Sequence, residues 1–493
     1  MGKSKFKYTT GKIVINDFSK TNLNTNQTKS NAEGITIYNF KNSNGVLEKG
    51  MGIQDFTVYH SNDLDSLSYK LDCSSLNLEY FNKVLYFKQY FPNTNNTTHR
   101  LLIHGSDSKL YMFQMYSSIA SPTWIYSLQF EDIPAVLEYK KDGLDSILIS
   151  ANDKLVVWST GRTPYELSNV PTITSMCVYN DELFCTIAGE TDKIWYTSNL
   201  NPETIGEETE ETKYIIMEGS AGGGRKIVML KENMYVFCDY GIGKINTYAK
   251  EKPTYHQIYT TNGQICPNTV VQCGDFVIFL THEGLYKFNG TSVTKLEALQ
   301  NLLEACSGDY AIATSLRDDY YLALNIDFKD NRLIGCEYSN SEMKNNALIK
   351  LNLHNYSFEI LRGVDIKDML ALNAGIDEKV ILTFNTKYHA RIGEITDTGR
   401  VFSESQSDKG FLTNYIVPNN FEDITIRKIV IDCSLGMGIR ITTDRGKFYF
   451  SIPKTGINVI YTTIQCKRFQ IAVLGTDVNN YTNFVEIEYV KKS

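Results

Sequence analysis

The stretch GSAGGGRKIV, at residues 219–228, comes closest in this sequence to a loop that binds a phosphate group. The spacing of Gly219 and Gly224 fits such a loop, but a phosphate loop continues with a lysine, a Ser or Thr, and a helix whose N-terminal N–H groups hold the anion. Arg225 and Lys226 occupy those two positions instead, and the following run, KIVMLKENMYVF, is typical of strands. We therefore predict a turn between two strands, where Lys226→Ala changes the free energy of unfolding by less than about 0.5 kcal/mol.

Other residues capable of chemistry are scattered along the chain. The seven histidines stand singly, without the spacing of zinc ligands or of a nucleophile and its base. Asp318 and Asp319 are adjacent, so on a strand they face opposite sides and do not form the carboxylate pair of a glycosidase. We predict no catalytic residue, no cofactor and no metal site, and therefore a protein that is not an enzyme.

Charge and cysteine usage narrow the class of protein further. The net charge is −7 over 493 residues and no basic run is present, so sequence-specific binding to nucleic acid has no electrostatic basis. No apolar run is long enough to span a membrane. Most of the ten cysteines lie in apolar runs, and we expect free thiols. Cys433 and Cys466, on adjacent predicted strands, are the one pair that could approach each other.

Strand patterns dominate the chain from end to end. Runs such as KVLYFKQYF, DSILISA and DFVIFLT are rich in β-branched and aromatic residues and are separated by Asn, Asp, Gly and Ser turns. Only Lys295–Gly308, with leucines near helical spacing, is expected to form a helix. The sequence therefore predicts an all-β fold.

The strands recur in groups, each with an apolar strand, a polar turn and a second strand that begins Lys-Leu, Lys-Ile or Leu-Tyr. HRLLIHGSDSKLYMF, DSILISANDKLVVW and ELFCTIAGETDKIWY are three such copies. A spacing of about 40–50 residues with several strands per unit is typical of β-propeller blades. We predict a β-propeller of about seven blades, within a range of six to eight.

The remaining segments flank this propeller. Residues 1–35, rich in Asn, Thr and Ser, are predicted to form an N-terminal arm, and residues 36–400 the propeller. Residues 401–493 alternate apolar and polar side chains between tight turns, which predicts a small C-terminal antiparallel β-sandwich.

The sequence predicts roles for two sets of side chains. Aromatic residues in the repeats are predicted to pack between blades; they are Trp158, Trp195, Tyr235, Phe279 and Tyr286. A sugar-stacking platform is the alternative for the two tryptophans. Polar loops at the blade tips are candidate contact sites for partners; their residues are Glu207, Glu208, Glu210, Glu211, Asn93 and Asn95.

Several segments, in order, resemble a family of phage tail β-propellers, the nozzle and tail-stabilisation proteins of short-tailed phages. The first is NAEGITIYNFKNSNGVLEKGMGI, which is similar to the strand and G-V-L-x-x-x-x-G that open the family's sequences. The other similar segments are NDELFCTIAGETDKIWYTSNLNPETI, GGGRKIVMLKENMYVFCDYGIGKI, QICPNTVVQCGDFVIFLTHEGLYKFNG and CKRFQIAVLGTDVNNYTNFVEIEY. Thr269 stands where the family usually has Ser, and the chain lacks the inserted domains of many nozzles.

The resemblance implies a structural protein of the virion tail that is assembled in the cytoplasm of a bacterial host. It implies a homo-oligomeric ring, most commonly of six copies, beneath the portal and adaptor. Such a ring surrounds the channel through which double-stranded DNA leaves during genome ejection, retains the packaged DNA, and offers docking surfaces to tail fibres.

Two other classes of function stay open from the sequence. A propeller channel is a natural ligand site, so a carbohydrate- or cell-wall-binding component of a phage receptor-binding apparatus or baseplate is the main alternative. An intracellular scaffold that docks peptides is supported by nothing except the fold.

Overall fold

Seven four-stranded antiparallel sheets form a ring in the computed structural model, which therefore has the β-propeller fold that the repeats predict. The structure describes residues 8–18, 28–29, 34–59, 68–71, 73, 76–115, 123–129, 134–168, 170–197, 205, 212–247, 252–299, 303, 306–326, 343–373, 378–385, 390–397, 409–477 and 479–492. We number the sheets as blades 1 to 7 in chain order.

The blades are built from consecutive strands, except for the last strand of blade 7. Blade 1 comprises Phe81–Phe91, Asn96–Gly105, Lys109–Gln114 and Thr123–Gln129, and blade 2 comprises Ala135–Lys141, Leu144–Ala151, Lys154–Ser159 and Tyr165–Ser168. Blade 3 comprises Ile173–Tyr179, Glu182–Ile187, Lys193–Thr197 and Thr212–Ile216, and blade 4 comprises Gly224–Leu230, Asn233–Cys238, Gly241–Asn246 and Thr254–Thr260. Blade 5 comprises Val271–Cys273, Phe276–Thr281, Gly284–Phe288 and Val293–Lys295. Blade 6 comprises Cys306–Leu316, Asp319–Ile326, Ala347–Asn352 and Phe358–Arg362, and blade 7 comprises Asp365–Asn373, Glu378–Asn385, Ala390–Thr396 and Gly52–Asp55.

The ring is closed by a strand from far away in the sequence. Gly52–Asp55 precedes blade 1 in the chain but pairs antiparallel with Ala390–Thr396 as the outer strand of blade 7. The first strand of blade 7 also lies against the first strand of blade 1. The two ends of the propeller are therefore joined both by hydrogen bonds within blade 7 and by packing between blades 7 and 1.

Local sequence explains the hairpins that form the blades. Two-residue turns of the type that matches strand twist need positive φ at both positions, which Asn, Asp and Gly adopt most readily. Asn152 and Asp153 have φ of 53° and 55°, and Asn180 and Asp181 have φ of 49° and 60°. These turns hold consecutive strands in register, as the sequence pattern predicts.

The hydrophobic core is divided among the interfaces between blades. Blades 1 and 2, for example, share a buried cluster that includes Phe87 and Trp158, and blades 4 and 5 share one that includes Phe237 and Phe279. The second strand of a blade is covered on both faces, and for this reason Val277, Ile278, Phe279 and Leu280 are all fully buried. A long chain can therefore bury its apolar residues by repetition, without one large core.

A second unit is a β-sandwich of two sheets. One sheet has six strands: Tyr8–Ile15, Phe40–Ser43, Val46–Lys49, Ile424–Cys433, Gly456–Cys466 and Thr482–Lys492. The other has seven: Thr28–Lys29, Gly34–Tyr38, Lys409–Thr413, Tyr415–Ile416, Gly438–Thr443, Gly446–Ser451 and Phe469–Gly475. Outside the sheets of both units lie the paired strands Thr57–Tyr59 and Ser68–Lys70, and the 3-10 turns Pro267–Thr269 and Glu297–Leu299.

Both ends of the chain contribute strands to this sandwich, whereas the predicted boundaries assign it to residues 401–493 alone. Tyr8–Ile15 lies in the segment predicted as an arm, yet it pairs along its length with the C-terminal strand Thr482–Lys492. Gly34–Tyr38 pairs with Lys409–Thr413, although the predicted propeller range begins at residue 36. These pairings join residues more than 350 positions apart, and such partners leave no signal in local periodicity.

One local prediction, the helix, is wrong, and the prediction of free thiols is confirmed for Cys433 and Cys466. Lys295–Gly308 was expected to be a helix, but its described part has only the 3-10 turn Glu297–Leu299 and isolated helical geometry at Leu303, and Gly308 lies inside a strand. Leu296, Leu299 and Leu303 instead pack in the core shared by blades 5 and 6. Cys433 and Cys466 do lie on neighbouring strands, but at opposite ends of the pairing, and both are free thiols.

The two units are joined by a buried polar contact at the edge of blade 6. Asn39 links two sandwich strands in a left-handed conformation, with φ of 56°. Its side-chain oxygen accepts a hydrogen bond of 2.9 Å from the backbone N–H of Arg362, and its own N–H donates to the carbonyl of Ile360 at 2.7 Å. Tyr38 packs beside it in the core shared with blades 5 and 6. The sandwich is thereby fixed to the propeller.

Candidate functional site

The glycine-rich stretch is a turn whose polar groups are bonded within the protein. The strand Gly224–Leu230 follows it, which confirms the strand interpretation. The N–H of Gly223 donates to Asp239 Oδ2 at 2.9 Å, and Arg225 Nε donates to Asp239 Oδ1 at 2.8 Å. The N–H of Ser220 donates to the side chain of Gln257 at 2.8 Å. A carboxylate of the protein itself thus occupies the place that a bound phosphate would take.

Lys226, the last residue of that motif, lies instead at the propeller axis. It belongs to the first strand of blade 4, and the first strands of most successive blades lie against one another around the ring. This strand carries a β-bulge, because Gly224 pairs with Cys238 and Lys226 with Phe237, which leaves Arg225 as the extra residue. A bulge of this kind bends its strand and changes the direction of the side chains that follow.

The same bulge occurs in the first strands of blades 1, 3, 4 and 7. The extra residues are Asn82, Thr174, Arg225 and Lys367. In each of these strands the residue after the extra one is the first to return to regular pairing. We call these four residues, one from each of the four blades, the axial layer. It consists of Lys83, Ser175, Lys226 and Asp368.

Hydrogen bonds between blades show that these residues lie at one level. Asp368 Oδ2 of blade 7 accepts the N–H of Val84, the residue after Lys83, at 2.9 Å. Ser175 Oγ of blade 3 accepts the N–H of Ile227, the residue after Lys226, at 3.1 Å. The axial-layer residue of one blade therefore bonds the same backbone position of the next blade in both cases.

Two titratable side chains of the axial layer have shifted pKa values. Burial and, to a smaller degree, the charge of Lys83 lower the pKa of Lys226 to about 8. Burial raises the pKa of Asp368, while Lys83 and backbone N–H groups act in the opposite direction. The layer thus holds two cationic side chains from opposite sides of the ring and a single carboxylate.

This position changes the expected effect of removing Lys226. An ordinary lysine pKa is about 10.4, so a folded-state pKa of about 8 means that protonated Lys226 destabilises the folded protein. We expect Lys226→Met to raise the free energy of unfolding at pH 7 by about 2 kcal/mol, after allowance for solvent screening. The gain should be complete below pH 8 and disappear as the pH rises towards about 10.

Urea unfolding of both proteins between pH 6.5 and 10 measures this difference directly. Lys447→Met, at an exposed position of the sandwich, is the matched control and should leave the free energy unchanged within about 0.5 kcal/mol. An unchanged or lower stability of Lys226→Met at pH 7 would contradict the lowered pKa of Lys226.

The predicted blade-packing aromatic residues lie in the blades, mostly buried. Phe279 and Tyr235 belong to the cluster between blades 4 and 5, and Tyr286, half-buried, stacks on Phe279 with ring centroids 5.7 Å apart. Trp158 and Trp195 are only 7% and 6% exposed. Neither indole face is open, so these tryptophans offer no platform for a sugar.

The candidate contact loops are only partly within the described residues. Glu207, Glu208, Glu210 and Glu211 lie outside them. Asn93 and Asn95 are exposed at the tip of the first hairpin of blade 1, where Asn95 adopts a φ of 48° and accepts a hydrogen bond from Tyr90. They are available to a partner but form no cluster with the axial layer.

An open strand edge on the sandwich is a feature that the sequence prediction missed. Gly456–Cys466 pairs on one side with Ile424–Cys433 and, among the described residues, with no strand on its other side. Its sequence, GINVIYTTIQC, has no charged residue, and Ile457, Val459 and Tyr461 are exposed on its outer face, Tyr461 by 79%. Lys or Pro residues usually protect such edges from pairing with other chains.

The opposite edge of the same sheet is formed by Tyr8–Ile15. Tyr8 and Val14 are exposed there on the same face as Val459 and Tyr461, as the register through the two intervening strands shows. The two edge strands run in opposite directions. If two copies of the chain lie side by side in the same orientation, Gly456–Cys466 of one copy would therefore pair antiparallel with Tyr8–Ile15 of the other.

Within the part of the chain that the structure describes, no group of three His, Cys, Asp or Glu side chains is arranged to hold a metal ion. The same described residues contain no helix that is both long and apolar enough to cross a membrane.

Comparisons with known proteins find likeness in structure alone. No protein-family model matches the sequence, and no curated protein matches it. Among solved structures, the chain is similar to BBS1N, crystallised in complex with ARL6DN, with 14% identity over 66% of this chain and 95% of that one and a TM-score of 0.41. It is similar to the AfRom2 CNH domain, with 9% identity over 64% and 96% of the two chains and a TM-score of 0.38. For Kluyveromyces lactis Hsv2 the identity is 8%, the coverage 64% and 93%, and the TM-score 0.34.

Proposed function

We propose that this chain is a non-enzymatic structural subunit of a phage tail. Copies of it associate into a ring, most simply a hexamer, beneath the portal and adaptor, around the channel through which double-stranded DNA leaves. The ring retains the packaged genome and offers docking surfaces to other tail proteins and to the fibres. It is assembled in the bacterial cytoplasm and works in the virion.

The open edge Gly456–Cys466 is the observation that carries this proposal. An uncharged edge strand of eleven residues with exposed Ile, Val and Tyr side chains is a site for strand pairing between chains. The second edge, Tyr8–Ile15, has the opposite strand direction and lies across the same sheet. Two different, complementary surfaces on one subunit generate a ring when the rotation between copies closes.

The ordered series of segments that resemble tail propellers supports the same proposal. These segments contribute sandwich strands near both ends of the chain, the first two residues of the closing strand Gly52–Asp55, and strands of blades 3, 4 and 5. The mild net charge of −7 suits a wall past which DNA must move without sticking. The buried faces of Trp158 and Trp195 weigh against the carbohydrate-binding alternative.

Association through the open edge leads to a specific prediction. Val459→Lys should weaken self-association at least tenfold, because the new charge must be desolvated wherever another strand covers the edge. Sedimentation velocity of the purified protein measures the ring population against concentration. Ile258→Lys, which changes an exposed residue on the outer strand of blade 4, is the control and should assemble like the wild type. Equal assembly of all three proteins would remove this edge from the interface.

Quantitative mass spectrometry of phage particles from the source culture tests the proposed location. We expect this chain to be present at half the copy number of the portal protein or at an equal number. Its absence from particles would overturn the proposal. If the chain is absent from particles, strong saturable binding of the monomer to host cell walls would favour the carbohydrate-binding alternative.

A further inference from the structure

The seven-stranded sheet of the sandwich also ends in an open strand. Gly446–Ser451 pairs with Gly438–Thr443 and, within the ranges that the structure describes, with no strand on its other side. Phe448 and Phe450 pack against the sandwich core and hold the strand in place. In an antiparallel pair, alternate residues direct their N–H and C=O groups away from the partner strand. This edge therefore presents a row of backbone groups to which another strand can bond.

The open strand lies on the same side of the sandwich as the edge Gly456–Cys466. Only residues 452–455 connect the two strands, which belong to different sheets. So short a link can join strands only where the two sheets face each other, about 10 Å apart. One side of the sandwich therefore carries two open edges, one from each sheet.

The opposite side of the sandwich does not match this arrangement. Tyr8–Ile15 is the edge of the six-stranded sheet there. In the other sheet Gly34–Tyr38 lies against blade 6, to which the N–H of the next residue, Asn39, donates at 2.7 Å, and Thr28–Lys29 contributes only two residues. Neighbouring copies in the proposed ring therefore offer no matching strand to Gly446–Ser451, and this edge stays open to a different chain.

Charge selects the class of strand that fits the edge. The run RGKFYFSIPK, which contains the strand, has three cationic residues, Arg445, Lys447 and Lys454, and no acidic residue. Arg445 forms an ion pair with Asp423, whereas Lys447 and Lys454 form none within the described part of the chain. The carboxylate of Asp444, in the preceding turn, accepts a backbone N–H at 2.9 Å. The surface around the open strand is therefore complementary to an acidic segment.

Lys447 makes the edge selective, because it is the one charged residue of the strand and is exposed. An uncharged strand, or the same strand of a second copy, would remove water from its ammonium group without supplying a counter-charge. A carboxylate on the facing strand forms a cross-strand ion pair instead. Tyr449, 65% exposed on the same face of the strand, offers an aromatic surface to a β-branched neighbour.

We propose that Gly446–Ser451 binds an extended acidic segment of another protein by strand addition. The bound segment becomes the next strand of the seven-stranded sheet and places a carboxylate opposite Lys447. This site is separate from the edge Gly456–Cys466 that we propose for the ring, and it stands if the copies do not associate. In a ring it would be repeated once in every copy.

Fluorescence anisotropy of the full-length protein at low ionic strength tests the site with a labelled peptide that matches the strand in length and alternates Glu with Val. We expect saturable binding, at least tenfold tighter than that of the peptide with Lys in place of Glu. Lys447→Glu should lower the affinity for the acidic peptide at least tenfold and raise that for the basic one. Lys213→Glu, an equal change of charge at an exposed position on the outer strand of blade 3, should bind like the wild type.

Backbone N-methylation of the acidic peptide keeps its charge and removes its hydrogen-bond donors, so this peptide should not bind. If it binds as well as its parent, or if short duplex DNA displaces the parent peptide, the surface is a general anion site and the proposal is overturned. Equal affinity of Lys447→Glu and the wild type for the acidic peptide would also overturn it.

Two further measurements keep these outcomes distinct from loss of the fold or of the ring. Circular dichroism establishes first that each variant is folded, and if Lys447→Glu does not fold, Lys447→Gln carries the same expectation for the acidic peptide. In sedimentation velocity Lys447→Glu should associate like the wild type. Weaker association would place this edge in the contact between copies and overturn the proposal of a different partner.

Discussion

Ile53→Asp is expected to lower the free energy of unfolding of the propeller by about 4–5 kcal/mol, the largest effect among the substitutions considered. Ile53 is fully buried in the core between blades 6 and 7, although it precedes blade 1 in the sequence. Its strand, Gly52–Asp55, closes the ring by pairing with Ala390–Thr396. A carboxylate at this position has no cationic partner in the surrounding apolar cluster.

Urea unfolding followed by tryptophan fluorescence measures this effect in the propeller itself. All three tryptophans, Trp124, Trp158 and Trp195, lie in the strands of blades 1 to 3. Ile53→Val, the conservative control, should lower the free energy by only about 0.5–1.5 kcal/mol. If Ile53→Asp unfolds at the same urea concentration as Ile53→Val, the segment does not close the ring.

Trp195→Ala is expected to lower the free energy of unfolding by about 3–5 kcal/mol, as for other buried aromatic truncations. The indole packs on Tyr214 with ring centroids 5.1 Å apart, and its Nε1–H donates to Glu190 Oε2 at 3.2 Å. Truncation therefore leaves a cavity beside Tyr214 and removes one hydrogen bond from Glu190, whose carboxylate Lys193 still contacts at 3.1 Å.

Two further variants separate packing from hydrogen bonding at this position. Trp195→Phe keeps most of the ring contact and loses the donor, so the expected loss is about 1 kcal/mol. Ile258→Ala, an exposed position of blade 4, should stay within about 0.5 kcal/mol of the wild type. A small loss for Trp195→Ala combined with loss of binding to a cell-wall sugar would show that the tryptophan serves a ligand instead of the fold.

The blades could be predicted from sequence because their contacts are local. Each hairpin joins strands only a few residues apart, and turns such as Asn152-Asp153 and Asn180-Asp181 have the positive φ that these residue types tolerate. Continuous apolar runs such as that of Phe276–Thr281 correctly indicate strands covered on both faces. Repetition of the pattern along the chain then suggests the propeller.

Pairings between the two ends of the chain could not be predicted in this way. Tyr8–Ile15 joins Thr482–Lys492, and Gly52–Asp55 joins Ala390–Thr396, across nearly the whole sequence. Periodicity shows that a segment is a strand but not which distant strand it will pair with. For the same reason the sequence revealed neither the closing strand nor the open edge opposite Tyr8–Ile15.

The axial layer shows a second limit of sequence analysis. The sequence places Lys226 at a turn between two strands, where its removal is predicted to have little effect. In the structure Lys226 follows a β-bulge at Arg225, in the same way as Lys83 follows a β-bulge at Asn82. Nothing in the sequence around Asn82 indicates a bulge. The two positions become related only when blades 1 and 4 are placed around a common axis.

The most direct test of the account is a cryo-EM reconstruction of the intact particle at the vertex that carries the portal. We expect a ring of seven-bladed propellers beneath the portal and adaptor, each with its sandwich joined to the next copy through Gly456–Cys466 and Tyr8–Ile15. Propeller density only at the tips of fibres, or none in the particle, would contradict the central claim that this chain forms the wall of the tail channel.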